Sequence, residues 1–135
     1  MGSVREALVA WFDARGTAVL AVNDATYSAP AEGQHGEWVL YATVRDEQDQ
    51  LLVHSVLPID VPEEQRATLA LHLTQVNVGL VIGNFELDLT DGELRYKTSI
   101  DVEGGELTDT MLDNLISANV AAVDEHLPGI LKILG

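Results

Sequence analysis

The chain has 135 residues, the length of one domain, and its hydrophobic fraction of 47% excludes an intrinsically disordered class, so we expect a single domain over residues 1–135. It contains no cysteine, which excludes disulfides, thiolate metal sites and cysteine nucleophiles. With 22 acidic residues against 7 basic ones the net charge is -15, which disfavours nucleic acid and anionic membrane as partners. No apolar run is long enough for a membrane helix, and we expect a cytoplasmic location.

The first half of the chain predicts one helix and three strands. Helical spacing of apolar residues predicts the helix, and Gly16 is a natural end for it. Pro30 and the neighbouring glycines indicate a loop between the first two strands. The predicted elements are a helix over 4–15, a strand near 17–22, a loop over 23–36, and strands near 37–45 and 51–57.

The second half predicts a helix, a hairpin and a final helix. Asp60 is the expected N-terminal cap of the first of these helices, which runs to about residue 78. Apolar residues alternate with polar ones over 85–102, and Asp91-Gly92 in their middle predicts an antiparallel hairpin. Thr108 is the expected cap of the last helix, in which Pro128 predicts a kink or a restart. The order α-β-β-β-α-β-β-α predicts an α+β fold, with helices packed on a twisted antiparallel sheet.

Several runs of residues in the second half of the chain carry a family resemblance. They are Leu57-Pro58-Ile59-Asp60-Val61-Pro62, Gly79-Leu80-Val81-Ile82-Gly83-Asn84-Phe85-Glu86, Asp91-Gly92-Glu93-Leu94-Arg95-Tyr96-Lys97, Asn119-Val120 and Leu127-Pro128-Gly129-Ile130. Together they resemble the YbjN family, which is labelled as bacterial sensory transduction regulators. The resemblance covers residues 57–135. It implies a fold like that of type III secretion chaperones, which are often dimeric, and it brings no established catalytic residues.

The residues that carry most enzyme chemistry do not form a recognisable motif in this sequence. The histidines are isolated from one another, so no helical metal-binding pair exists. Nucleophile elbows, phosphate-binding loops and calcium loops are absent as well. We therefore expect no catalytic residue, no metal and no cofactor. A structural role or a surface position is the expected state of each histidine, although His54 on its strand can meet Asp60 or another neighbour.

Two surfaces and one buried residue are candidate sites. The second helix has one apolar side suited to the sheet, with Leu69 and Leu73, and a second side that predicts a dimer or partner surface. That second side comprises Ala67, Leu71, Thr74 and Val78.

On the hairpin, a polar strip alternates with the apolar face, and it comprises Asn84, Glu86, Arg95 and Lys97. A solvated sheet face is the simpler interpretation of this strip, and a docking site for an extended peptide or a helix is the functional one. Asn119 lies on the apolar stripe of the last helix, so we expect a buried amide that binds nearby backbone.

These observations favour a non-catalytic bacterial interaction module, a regulator or a chaperone-like adaptor, that binds another protein and forms a homodimer. One alternative is an enzyme or a small-ligand domain, which requires a polar pocket where carboxylates, His54 or Asn119 converge. Another is a structural subunit of a larger assembly. The scattered acidic residues fit either an ordinary acidic surface or a host adapted to high salt.

Overall fold

The computed structural model describes residues 3–135, which form six strands and three helices. The elements in chain order are α1 Val4–Ala14, β1 Leu20–Ala21, β2 Thr26–Glu32, β3 Glu37–Arg45, β4 Gln50–Asp60, α2 Glu63–Val78, β5 Asn84–Leu87, β6 Glu93–Asp101 and α3 Asp109–Leu134. The strands form one sheet in the order β1-β2-β3-β4-β6-β5, and every neighbouring pair is antiparallel. The predicted α+β class is confirmed, and the eight longer elements follow the predicted order.

Strand β2 occupies half of the segment predicted as a loop over 23–36, and that prediction was wrong there. The strand predicted near 17–22 is reduced to the two residues of β1, which pair with Tyr27 and Ser28 of β2. Pro30 lies two residues beyond this pairing, on the outer part of β2. Strand β1 does not reach Pro30, so at this residue β2 has a neighbouring strand on only one side, β3. An edge position of this kind tolerates a residue without an N–H, and Pro30 therefore does not break the strand.

The ends of the helices differ from the prediction at two places. Strand β4 continues to Asp60, which pairs with Glu93, so Asp60 does not cap α2 and Pro62 precedes its first turn instead. The predicted cap of α3 is confirmed, since the Thr108 hydroxyl accepts a hydrogen bond of 3.1 Å from the Met111 N–H. Pro128 lies inside α3, which continues to Leu134, so the helix does not restart there.

The three helices pack on one face of the sheet and leave the opposite face uncovered. Along β3 and β4 the residues on the helix side are buried and the alternate residues are half-buried or exposed. On the helix side the central strands contribute Trp38, Leu40, Ala42, Val44, Leu51, Val53, Ser55 and Leu57. We call the opposite side the open face; its residues include Pro30, Val39, Tyr41, Leu52, His54, Val56, Asn84, Glu86, Arg95 and Lys97.

Candidate interaction surfaces

The outer surface of α2 is formed by the four residues predicted as a dimer or partner surface. Ala67, Leu71, Thr74 and Val78 are all exposed, and 73% of Leu71 is accessible. Leu69 and Leu73, one turn apart on the other side of the helix, are buried in the core. The two sides of α2 therefore meet different environments, and the core packing of the helix does not depend on Leu71.

A groove beside the outer surface of α2 is completed by the turn between β5 and β6. The groove has a volume of about 540 Å³, and its lining consists of the apolar or neutral residues Ala67, Ala70, Leu71, Thr74 and Leu89 and the charged residues Glu63 and Arg66. Arg66 fixes the turn, because its Nε donates to the Val61 carbonyl at 2.9 Å and its Nη1 donates to the Leu89 carbonyl at 3.2 Å. The alternation of the hairpin does not reveal Leu89 as part of this surface, since Ala67, Leu71 and Thr74 lie 15 to 22 positions earlier in the sequence.

The loop from α2 to β5 exposes two further apolar side chains. Val81 is 96% exposed and Ile82 is exposed beside it. The Tyr96 hydroxyl donates to the Ile82 carbonyl at 2.6 Å, and Gly83 has a φ of 83°, with no room for a side chain against the Lys97 carbonyl. Residues 67–85 contain no Asp, Glu, Lys or Arg. The exposed residues of α2 from Ala67 onward are thus followed in sequence by an exposed loop that carries no charged residue.

The polar strip on the hairpin is a network centred on Glu86. The Glu86 carboxylate accepts a hydrogen bond of 2.8 Å from Arg95 Nε and lies 2.9 Å from Lys97 Nζ. His54 Nε2 on the neighbouring strand lies 3.7 Å from the same carboxylate. Asn84 belongs to the strip in register, opposite Lys97, but its amide donates to the Phe85 carbonyl. The structure therefore brings Glu86, Arg95 and Lys97 together, adds His54, and leaves Asn84 outside the ion pairs.

Burial and charge shift the pKa values of two groups in this network. Partial burial lowers the pKa of His54, and the Arg95 charge lowers it further, although Glu86 acts in the opposite direction. Burial alone would raise the pKa of Glu86, but the hydrogen bond from Lys97 and the charges of Arg95 and Lys97 lower it below its usual value. The network near neutral pH therefore holds an ionised Glu86 between two cations, beside a neutral His54.

Asn119 is fully buried at the centre of the helix side of the sheet. Its Nδ2 donates to the Val53 carbonyl at 3.0 Å and lies 3.1 Å from Thr98 Oγ1, and its Oδ1 accepts a hydrogen bond from the Ser55 hydroxyl. Trp38 Nε1 donates to the same Ser55 oxygen at 2.9 Å. Asn119 thus joins α3 to the central strands through satisfied bonds, and its amide is not free to contact a ligand.

The outer edge of β5 is occupied by a side chain of α2. The Asn77 Oδ1 accepts a hydrogen bond of 2.8 Å from the Phe85 N–H, and its Nδ2 donates to the Phe85 carbonyl at 3.1 Å. Asn77 therefore takes the place of a further strand at this position of the sheet. The local sequence signal of this contact is weak, since it consists of one amide in the last turn of α2 before an apolar loop.

The polar pocket required by the enzyme alternative does not assemble from the two residues that suggested it. His54 lies on the open face and Asn119 on the helix side, so the sheet separates them. Within residues 3–135 no group of three or more His, Asp or Glu side chains is arranged to hold a metal ion. Over the same residues, no helix is both long and apolar enough to cross a membrane.

A comparison with protein-family models identifies the family of this chain. The model of the YbjN family, described as "Putative bacterial sensory transduction regulator", matches residues 5–132. The chain belongs to the YbjN family. The match confirms the resemblance seen in the sequence and extends it from the second half to nearly the whole chain. No curated protein sequence matches the chain significantly.

Solved structures with the same fold include YbjN and type III secretion chaperones. The crystal structure of YbjN from E. coli has a TM-score of 0.68 at 14% identity and covers 92% of this chain and 91% of that chain. A chain of the ExsC–ExsE complex has a TM-score of 0.57 at 16% identity, and the match covers 93% of this chain and 91% of that chain. The Yersinia pestis type III secretion chaperone SycH, in complex with a fragment of YscM2, has a TM-score of 0.53 at 11% identity and covers 97% and 99%. The predicted chaperone-like fold is confirmed.

Proposed function

We propose that this chain is a non-catalytic protein-interaction adaptor that forms a homodimer through the outer surface of α2. The exposed residues of α2 and of the following loop, in a stretch from Ala67 to Phe85 without Asp, Glu, Lys or Arg, carry this proposal. In a chain with 21% charged residues, an exposed helix side and loop without any charge are costly to leave in water, and a partner protein removes that cost. Solved neighbours that were crystallised with protein partners support the same class of function.

A second copy is the partner that suits α2 best. The outer surface is centred near Leu71, which lies at the middle of the helix, so a twofold axis there places two equivalent surfaces against each other. Ala67 and Thr74, on either side of Leu71, are small enough for two helices to approach closely. The acidic residues Glu63 and Glu64 lie at the end of the helix, where an antiparallel arrangement keeps them away from their symmetry copies.

The mass of the chain purified from its own host tests the adaptor role directly. Native mass spectrometry is expected to show a dimer, alone or with a second protein. A monomer that carries a bound small molecule would instead support the ligand-binding alternative and contradict the proposal.

Substitution of Leu71 by Glu tests the α2 surface. Leu71→Glu is expected to shift the dimer to a monomer and to leave the fold intact, since each dimer loses two buried leucines that contribute ~1.5–3 kcal/mol each. Leu73→Glu is expected to unfold the chain, because it places a charge in the core. Sedimentation and circular dichroism distinguish the two results.

Leu20→Glu is the matched control for this test. Leu20 is 72% exposed, nearly the same as Leu71, but it lies on β1 at the far edge of the sheet. The control variant should remain a dimer. Equal loss of the dimer in Leu20→Glu and Leu71→Glu would show that α2 is not the interface, and a wild-type monomer at micromolar concentration would rule out the homodimer.

A further inference from the structure

The groove between α2 and the β5–β6 turn is open to an apolar side chain, and we propose that Val78 of a second copy of this chain lies in it. The groove is continuous with the outer surface of α2, because both contain Ala67, Leu71 and Thr74. Leu89 is the one lining residue outside α2. This inference rests on the proposed homodimer and specifies a second contact of the same interface.

The β5–β6 turn holds Leu89 in a fixed place although the side chain is 60% exposed. The Asp88 carboxylate accepts a hydrogen bond of 2.9 Å from the Thr90 N–H, and the Asp88 carbonyl accepts one of 2.8 Å from the Gly92 N–H. The Val61 N–H donates to the Gly92 carbonyl at 3.0 Å, which ties the turn to the end of β4. A turn that is already fixed loses little conformational freedom on binding, so Leu89 is a preorganised contact.

The charges around the groove disfavour an acidic occupant. The lining holds one acid and one base, Glu63 and Arg66, and the turn adds Asp88 and Asp91. A second copy, whose net charge is -15, therefore has to offer an uncharged segment at this place. Residues 67–85 are such a segment, because they contain no Asp, Glu, Lys or Arg.

The antiparallel arrangement of two α2 helices brings Val78 to this groove. Val78 lies seven positions after Leu71, or almost two full turns, so both side chains project from the same side of the helix. With the twofold axis at Leu71, Val78 of one copy lies opposite the partner's Glu64, ~10 Å from the axis. The groove extends along α2 from Glu63 to Thr74, so this position lies at its Glu63 end. Val78 is 84% exposed in one chain, and each dimer makes the contact twice.

Disulfide formation between engineered cysteines tests this contact, because the chain has no cysteine of its own. Val78→Cys and Leu89→Cys are purified separately, mixed until the dimers exchange subunits, and exposed to a mild oxidant. We expect the mixture to form covalent dimers at least about tenfold faster than Val78→Cys alone. Val78 and its symmetry copy lie ~21 Å apart along the helices, whereas a disulfide needs Cα atoms within ~7 Å. A mixture of Val78→Cys with Leu20→Cys is the matched control, because Leu20 is 72% exposed at the far edge of the sheet.

The affinity of the dimer gives an independent measure of the contact. Leu89→Ser is expected to raise the Kd of the dimer about tenfold or more, because each dimer loses the contact twice. The exposed position of Leu89 means that the fold should not depend on it, which circular dichroism checks. Leu20→Ser should keep the Kd of the wild type. An unchanged Kd in Leu89→Ser would overturn the proposal and leave the groove to a different protein.

Leu71→Cys separates a failure of this contact from a failure of the dimer. Its two copies meet at the twofold axis, so this variant should form covalent dimers by itself. If it does, and the mixture of Val78→Cys with Leu89→Cys is no faster than the control, the α2 dimer stands and the groove contact is wrong. If Leu71→Cys forms no covalent dimer and the wild type sediments as a monomer, the proposed homodimer is wrong, and this contact with it.

Discussion

At the scale of single residues, Asn119 is a fully buried polar group that joins α3 to the central strands. Asn119→Ala leaves the Ser55 hydroxyl and the Val53 carbonyl without this partner and opens a small cavity. We expect the free energy of unfolding to fall by about 2–4 kcal/mol, measured by urea denaturation. Ser117→Ala, on the exposed side of the same helix, is the control and should stay within about 0.5 kcal/mol of the wild type. An equally small change in Asn119→Ala would contradict this role.

His54 should make stability depend on pH below neutrality. Its pKa is lower in the folded chain than in the unfolded one, so the unfolded chain binds the proton more tightly. The linked stability is complete above the unfolded pKa of ~6.5 and is lost as the pH falls towards the folded value. Thermal melts between pH 7.5 and 5 should show this loss, and His54→Gln should reduce it.

The variant Glu86→Gln tests the same pH dependence through the carboxylate that faces His54. The Glu86 charge raises the pKa of His54, against the larger effects of burial and Arg95. In Glu86→Gln this upward effect is absent, so the pKa of His54 in the folded chain is lower still. Stability should therefore fall more steeply between pH 7.5 and 5 than in the wild type. A shallower fall in this variant would show that Glu86 does not act on His54 in the way the geometry indicates.

The sequence predicts the environment of a single residue when that environment depends on neighbouring positions, and it does not predict contacts between distant positions. The helical period places Asn119 on the apolar stripe of α3, because this needs only neighbouring residues. Its partners Ser55 and Thr98 are 64 and 21 positions away, and no local pattern encodes those contacts. Ser55 in particular resembles any polar residue of a strand until the register of β4 is known.

At the scale of elements, α2 secures the edge of β5 through Asn77. Asn77→Ala removes both hydrogen bonds to Phe85, so β5 should open more often than the rest of the sheet. Hydrogen exchange of the Phe85 amide should become at least about tenfold faster, which corresponds to ~1.4 kcal/mol of local stability. Gln75→Ala, which is exposed on the same helix, is the control. Unchanged protection of Phe85 in Asn77→Ala would show that the edge is held by other contacts.

The two halves of the sheet were predictable to different degrees. The β5–β6 hairpin follows from alternation and the turn at Asp91-Gly92, since both signals lie within twenty residues. Strand β2 contains Pro30 and small residues, so its own propensity is low, and its pairing with β3 forms it. The end of β4 shows the same effect, because pairing with Glu93 keeps Asp60 in the strand.

At the scale of the whole molecule, the net charge of -15 should make the fold more stable in salt. Repulsion among the carboxylates is screened as ionic strength rises, and at about 1 M the Debye length is only ~3 Å. The melting temperature should increase from low salt to about 1 M sodium chloride. The Leu71→Glu variant should show the same increase, which separates repulsion within the chain from repulsion between protomers.

Sulfate is unsuitable for the salt experiment, because it strengthens apolar burial by itself. A flat or falling melting temperature in sodium chloride would contradict the prediction. It would mean that local ion pairs, such as those of Glu86 with Arg95 and Lys97, outweigh the general repulsion.

The Asn77 side chain and Pro30 have a consequence for how the protein behaves at high concentration. Fibril growth proceeds by stacking strand upon strand, and it starts from an unpaired strand edge. Here the Asn77 side chain binds the backbone of Phe85 at one edge of the sheet. The strand at the other edge, β1, has only two residues, and the neighbouring strand β2 contains Pro30. We therefore expect the folded chain to resist seeding by its own aggregates, so that an apolar sheet face can stay exposed in solution without becoming the start of an amyloid.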